Sequence, residues 1–426
     1  MTGTFMGALS GIRIVDLTSV LMGPYTTQFL ADYGADVVKV EAPMGDLVRE
    51  IGPMRSPGMG PLFLNTNRSK RSISIDLKTG EGRQLLLDMC READVLVYNI
   101  RPAAMERLGL SYEEIAAVNP RIVYAGCYGY GQDGPYAANP AYDDLIQGGA
   151  CIPYLFTLAG SDEPRYVPAA IADRIVAMTT LSAILAALVS CGRTGKGQRV
   201  DVPMFETMAA FILGDHLGGL TYDPPLDGGG YARQLSPDRR PYKTADGYVC
   251  TLIYTDDHWR RFLAATGRAD LMDADPRYAT FSSRMANLDV VYGELSDVML
   301  TRTSAEWMDL FNEIDVPMLW MHDLQSILKD KHLEQVNFFR PFEHPTEGPI
   351  LTMANPVKMS GTPITATRPV PNLGEHTIEC LTEMGLSQDT ISDLIARGIV
   401  RSMAPTSKHS AATGPEGEDV TTGTAI

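Results

Sequence analysis

The residue with the most chemistry to offer is Asp173. It closes the run Val167-Pro168-Ala169-Ala170-Ile171-Ala172-Asp173 and stands just before an apolar segment, Ile175 to Val189. An acid in the first turn of a helix is most often a plain cap, favoured there by the helix dipole. Two features argue for more. A helix that is apolar nearly all round is expected to be buried, and it carries its N-terminal carboxylate inward with it. A buried carboxylate is a candidate for chemistry, and the dipole is expected to hold it ionised, as a nucleophile must be. The other acids nearby are Asp162 and Glu163 in a polar loop, and Asp143 and Asp144 ahead of the glycines of another segment.

Cations and glycines gather at a few further places. Arg68, Lys70 and Arg71 cluster just before a strand, while Arg101 and Arg107 follow the strand Asp94 to Ile100, with Asn99 near its end. Such clustering suits a phosphate-bearing ligand, although a solvated charge run is its commoner meaning. Gly129-Tyr130-Gly131-Gln132-Asp133-Gly134 matches G-x-G-x-x-G after a strand. Pro135 follows at once and no helix opens there, so a dinucleotide site is the weaker reading. The better one is a loop whose backbone approaches a ligand closely. Tyr142-Asp143 precede Gln147-Gly148-Gly149, where the tyrosine either lines a pocket or packs. No metal site is expected: the seven histidines make no ligand spacing,. There is no G-x-S-x-G, P-loop or Cys/His signature.

Elements able to position these residues alternate along the first half. Strands are expected at Arg13 to Thr18, Ala35 to Glu41, Ser72 to Leu77, Asp94 to Ile100 and Arg121 to Cys127. Helices are expected at Pro24 to Tyr33, closed by Gly34, and at Gly80 to Ala93. Ser111-Tyr112-Glu113-Glu114 is a capping box. Short apolar strands separated by helices predict a parallel sheet covered on both faces, an α/β fold. Pro224-Pro225 and Gly228-Gly229-Gly230 mark a change of character. Beyond them, Pro241 to Thr255 reads as a hairpin around Asp246-Gly247, followed by helices near Asp257 to Thr266 and Ser304 to Ile314. Residues 404–426 have a composition that predicts disorder.

The chain has 426 residues and a net charge of −16, which argues against nucleic acid as a partner. Six scattered cysteines fit reduced thiols rather than a disulfide framework,. The N-terminus lacks the pattern of a signal peptide. The apolar run at 175–189 is short for a span of about 20 residues. A cytoplasmic protein with no membrane partner is therefore expected.

In order and spacing, these segments resemble family III CoA-transferases, the CaiB/BaiF family. The carriers are residues 9–18 (LSGIRIVDLT), Gly23-Pro24, residues 30–41 (LADYGADVVKVE), Asn67 to Ser72, Asn99 to Pro102 and Met105 to Leu110. They continue through Gly129 to Tyr136, Thr194 to Gln198, Asn355 to Val357 and Leu373 to Thr377. The resemblance implies a Rossmann-like CoA-binding large domain built from both chain ends, with a small α+β domain inserted. Its boundaries here are 1–200 and 349–403 for the large domain and 225–325 for the small one, with linkers at 201–224 and 326–348. It also implies a homodimer of interlinked rings, no tightly bound cofactor, and acyl-CoA and a carboxylic acid as substrates.

The resemblance also assigns roles. Asp173 matches the aspartate that becomes acylated, then carries CoA as a thioester. Arg68, Lys70 and Arg71 look like the loop that meets the CoA nucleotide. Asn99, Ile100, Arg107 and Leu108 match further CoA contacts, and Val20 and Leu21 fall where the first loop meets CoA. The 228–230 glycines loosely resemble a lid, and backbone N–H groups of this loop or of the Gly129–Gly134 loop are expected to shield the intermediates and hold an oxyanion. The racemase branch carries a histidine where Tyr142 stands. A phenol of pKa about 10 is a poor base at neutral pH, so transfer is favoured over an α-methylacyl-CoA racemase. A non-catalytic CoA-binding relative is the remaining alternative.

Overall fold

In a computed structural model, residues 7–364 and 368–403 can be described. The first half forms strands β1 (Arg13–Leu17), β2 (Asp36–Glu41), β3 (Arg71–Ile75), β4 (Val95–Tyr98), β5 (Val123–Tyr128) and β6 (Gln198–Pro203). Later come β7 (Tyr242–Lys243), β8 (Tyr248–Thr251), β9 (Met318–Trp320), β10 (Phe339–His344), β11 (Gly348–Met353) and β12 (Val400–Arg401). One seven-stranded sheet runs β12-β3-β2-β1-β4-β5-β6. Strands β1 to β6 are mutually parallel, and β12 joins antiparallel against β3.

The near-continuous apolar runs of β1, β2 and β4 fit strands covered on both sides. Val15, Leu17, Val38, Val40 and Leu96 point to one face, where they meet Leu86 and Cys90 of helix Gly80–Arg91 and Leu381, Ile391 and Leu394 near the chain's end. Ile14, Val37, Val95 and Val97 point to the other. There they meet Phe29 and Leu30 of helix Met22–Asp32 and Leu181 and Ile184 of helix Ile171–Thr194. The sequence thus reaches both faces by simple alternation. Gly34, at φ +101°, turns the chain out of helix Met22–Asp32, and the capping box at Ser111 and Glu114 forms as its pattern predicts.

The hairpin read around Asp246-Gly247 is present as β7 and β8, with β9 added to it. A separate aromatic-rich core from Tyr242 to Val316, including Trp259, Phe262, Trp307 and Phe311, belongs to this part. Strands β10 and β11 form a further antiparallel pair. The segment 404–426, read above as disordered, lies outside the described residues.

One expectation needs correction. Helix Ile171–Thr194 is apolar nearly all round, yet only one side of it is buried, through Ala172, Val176, Ala177, Thr180, Leu181 and Ile184. Met178 and Val189 lie exposed on the other. By length and composition alone this helix could cross a membrane. Composition cannot say which side packs; the sheet decides that.

Candidate functional site

In an open parallel sheet, successive strands added on opposite sides of a central pair leave a crevice beyond their carboxyl ends. Here β2 and β3 extend from one side of β1, while β4, β5 and β6 extend from the other, so the crevice lies beyond β1 and β4. Val20 and Leu21 follow β1 and Asn99 and Ile100 follow β4, so the order of strands brings these four together. Asn99 stitches the two ends by accepting from the Ser19 N–H at 2.9 Å and donating to the Ser19 carbonyl at 2.7 Å. Val20 sits at φ +68°, where β-branched residues are rare,.

Asp173 lies in the first turn of helix Ile171–Thr194 and is half-buried. Its backbone N–H, otherwise an orphan of the helix start, donates to Oδ1 of Asp143 at 2.9 Å. Asp143 in turn accepts at 2.6 Å from the amide of Gln147. Fully buried Gln147 also accepts from the Val167 N–H and donates to the Ala169 carbonyl. Helix Asp143–Gly149 therefore fastens the 167–173 segment. Burial, with the neighbouring Asp143 carboxylate second, pushes Asp173 up to about 7, and Arg174 opposes the shift. The expectation that the helix dipole keeps Asp173 fully ionised is corrected: loss of water outweighs it, and near neutral pH both forms are populated. The sequence placed Asp143 only among alternatives to Asp173; its function as partner depends on a contact 30 residues away.

The first basic cluster is elsewhere. Arg68 and Lys70 precede β3 and Arg71 opens it; Arg68 and Arg71 lie toward the sheet's amino end, while the Lys70 side chain reaches in beneath the loop that follows β1. Lys70 is fully buried, with Nζ on Asp16 at 3.1 Å, the Pro24 carbonyl and Asn67. Arg68 pairs with Asp32 at 2.6 Å. Arg71 pairs with Asp36 at 2.6 Å, and with Glu379 and Glu383. These three were read as meeting a CoA nucleotide. Their charges are paired within the chain, and Lys70 has no access to solvent.

The cations beyond the carboxyl ends stand in contrast. Exposed Arg101 and Arg107 follow β4, and neither has an ion pair among the described residues. With Gln132, Ala137 and Ala138 they line a cleft of about 280 Å³, and Arg101 donates to the Ala138 carbonyl at 3.3 Å. Leu108 follows Arg107, half-buried against the core. From Ala138 the chain runs four residues to Tyr142, the exposed N-cap of helix Asp143–Gly149. The loop after β5 thus links the Arg101/Arg107 cleft to Asp173. Lys78, exposed beyond β3, belongs to the same end of the sheet and was missed. Its signal was its place immediately after the strand read as ending at Leu77.

The glycines are more constrained than expected. The Gly131 N–H is taken by Glu206 at 2.8 Å, so it is not available to hold an oxyanion. A side chain at Gly129 would strike Ala141, so glycine permits that close approach. Gly229 donates to Asp227 and Gly230 to the His216 carbonyl, while Gly228 is exposed. None of these bonds reaches the Asp173 segment. Among the described residues no three His, Cys, Asp or Glu side chains gather to hold a metal.

Residues 9–377 match the family model described as CoA-transferase family III. The chain is 34% identical over 401 residues to a succinyl-CoA:mesaconate CoA-transferase of Haloarcula hispanica, covering 90% of this chain and 98% of the relative. It is 33% identical over 405 residues to an acyl-CoA transferase of Fusarium pseudograminearum, covering 92% and 88% respectively. A solved CAIB/BAIF family protein from Brucella suis superimposes with a TM-score of 0.76 at 28% identity, over 89% of this chain and 100% of that one.

Proposed function

The chain belongs to CoA-transferase family III, and from that premise we propose that it transfers CoA between carboxylic acids through Asp173. The observation that carries this reading is the setting of Asp173: a half-buried carboxylate in the first turn of a helix, tied through its backbone N–H to Asp143 and pushed up by burial. Ionised, it is a nucleophile that needs no separate base.

In the first step an Asp173 oxygen attacks the donor thioester carbonyl. The C–S bond breaks, CoA leaves as thiolate, and a mixed anhydride remains. The thiolate then attacks the aspartyl carbonyl, the donor acid leaves as carboxylate, and Asp173 carries CoA as a thioester. An acceptor carboxylate attacks that thioester and again expels the thiolate. In the last step the thiolate attacks the acceptor's carbonyl, releasing the new acyl-CoA and restoring the Asp173 carboxylate. No proton is gained or lost. Water must be kept out, because each intermediate hydrolyses.

CoA is proposed to lie beyond β1 and β4, along Val20, Leu21, Asn99 and Ile100, with phosphates toward Arg101, Arg107 and Lys78. Tyr142 supports transfer over racemisation, because a phenol at that position is a poor base for a Cα proton. The relatives make small dicarboxylic acyl-CoA thioesters, succinyl-CoA first, the donors to try. A homodimer is also proposed. The chain exposes 24173 Å², against roughly 16,000 Å² for a compact monomer of its mass. Exposed Phe211, Leu319 and Leu324 suit burial against a second copy,.

The test is to incubate the enzyme with succinyl-CoA and hydroxylamine and map the modified carboxyl group by mass spectrometry. A hydroxamate on Asp173, absent in Asp173→Ala, is expected. A hydroxamate on another acid, or deuterium uptake at Cα of a 2-methylacyl-CoA, overturns the reading.

A further inference from the structure

The loop Thr18–Leu21 is held almost entirely by side chains. The Thr18 N–H donates to Asp16 at 2.9 Å, and the Thr18 carbonyl accepts from Nζ of Lys39 at 2.7 Å. Asn99 takes both the N–H and the carbonyl of Ser19. The Val20 N–H donates to both oxygens of Asp46, at 3.0 and 3.2 Å. Five consecutive backbone groups thus bond to side chains, three of them charged. Asp46 and Lys39 are themselves buried and paired at 2.9 Å, with side chains 1% and 0% exposed. Asp46 also accepts from Val48, and its own N–H donates to Glu41.

Folding alone gives little reason for such a device. Burying an ion pair loses hydration that its attraction recovers only in part. A left-handed backbone is disfavoured for valine and free for glycine. Backbone strain over-determined by its surroundings concentrates where a ligand must be met by a fixed shape. This loop lies beyond the carboxyl ends of the paired strands β1 and β4, where the strand order reverses,.

We infer that Asp46 is a positioning residue for acyl-CoA binding: clamped by Lys39, its carboxylate holds Val20 in the left-handed turn and preforms the Thr18–Leu21 loop before ligand arrives. The inference rests on the reading that CoA occupies this crevice. Asp46 touches no substrate; it acts through the backbone of Val20. Losing the clamp reduces the fraction of protein with the loop in shape, and affinity falls by that fraction. Chemistry at Asp173, once ligand is bound, is unaffected.

The experiment combines kinetics with hydrogen exchange on the full-length protein. Asp46→Asn is expected to raise the KM for acyl-CoA and the Kd for CoA about tenfold, with kcat within about twofold of the parent. Adding Val20→Gly is expected to bring the double variant within about threefold of Val20→Gly alone, because glycine takes the turn unaided. In the unmodified protein the Val20 amide should exchange slowly before ligand is added, and CoA should change that rate little. If Asp46→Asn lowers kcat and thermal stability but leaves KM unchanged, or the two substitutions add without rescue, the inference falls. It falls equally if the 18–21 amides gain protection only with CoA, a result that does not depend on any variant folding. Arg107→Ala separates the two readings. If it weakens CoA and Asp46→Asn does not, only the positioning inference fails; if neither weakens CoA, the crevice reading fails with it.

Discussion

Toward the amino end of the parallel sheet, Arg68 and Arg71 each sit 2.6 Å from an aspartate, and Lys70, reaching in beneath the loop after β1, is shut in with Asp16. At the carboxyl end, Lys78, Arg101 and Arg107 have no ion pair among the described residues, and Asp173 lacks a partner strong enough to offset its burial. Both ends contain clustered cations, so composition cannot tell them apart. The difference lies in what each charge meets. A charge already satisfied inside the chain contributes to holding the fold; a charge left without a partner is free to meet a ligand or to react.

That contrast breaks first, and most severely, at Asp173. Asp173→Asn should lose transfer activity by about four orders of magnitude or more, as expected when a covalent nucleophile is removed. It should also stabilise the fold at high pH. The folded Asp173 titrates near 7, above its unfolded value of about 3.9. The native state therefore resists ionisation, and the penalty grows as pH rises from about 4 and is complete above about 7. Denaturant melts should show the variant more stable by on the order of 2 kcal/mol at pH 8 and equal at pH 3.5. Equal stability at both values removes the argument that burial sets the state of Asp173.

The next effect lies at the paired end. Arg71→Met leaves Asp36, Glu379 and Glu383 facing one another, and because those carboxylates are partly solvated it should destabilise the fold by about 1–2 kcal/mol,. The KM for acyl-CoA should stay within about twofold at temperatures where the variant is folded. A variant as stable as the parent but weak in binding CoA reverses the assignment. Arg107→Ala should do the opposite. Loss of a charge-assisted hydrogen bond to phosphate weakens CoA by about 1–3 kcal/mol, and melting should be unchanged within about 0.5 kcal/mol. Calorimetry on the two variants side by side tests the comparison itself.

The smallest effect concerns the acid limb of the rate profile. Transfer needs ionised Asp173, so the rate of the unmodified enzyme should rise with pH through about 7,. The Asp143 carboxylate contributes to the upward shift and Arg174 opposes it. Asp143→Asn should therefore move the limb to lower pH, and Arg174→Gln should move it higher. Shifts of the same sign in both variants show that the limb reports another group.

Much of the scaffold was legible. Alternating apolar positions in β1, β2 and β4 are local, and period two suffices to name both faces of a strand. Caps at Ser111 and Gly34 depend on residues within one turn. The place of Asp173 was legible too, because an acid ahead of an apolar run is itself a local pattern. The fate of Arg68, Lys70 and Arg71 was not. Their partners Asp16, Asp32, Asp36, Glu379 and Glu383 are brought beside them by strand order and by the return of the chain's end, and no local window contains both halves.

By itself, the sequence determined the parallel α/β sheet, the family, and the carboxylate worth testing, since periodicity and short motifs act over a few residues. Only the tertiary structure decided which cations are spoken for, why Asp173 titrates near 7 rather than low, and that Asp46 reaches Val20. Each of these is a matter of distance and of lost water. A charge feels a partner a few ångströms away and the solvent it has been stripped of, and neither is written in the order of residues along the chain.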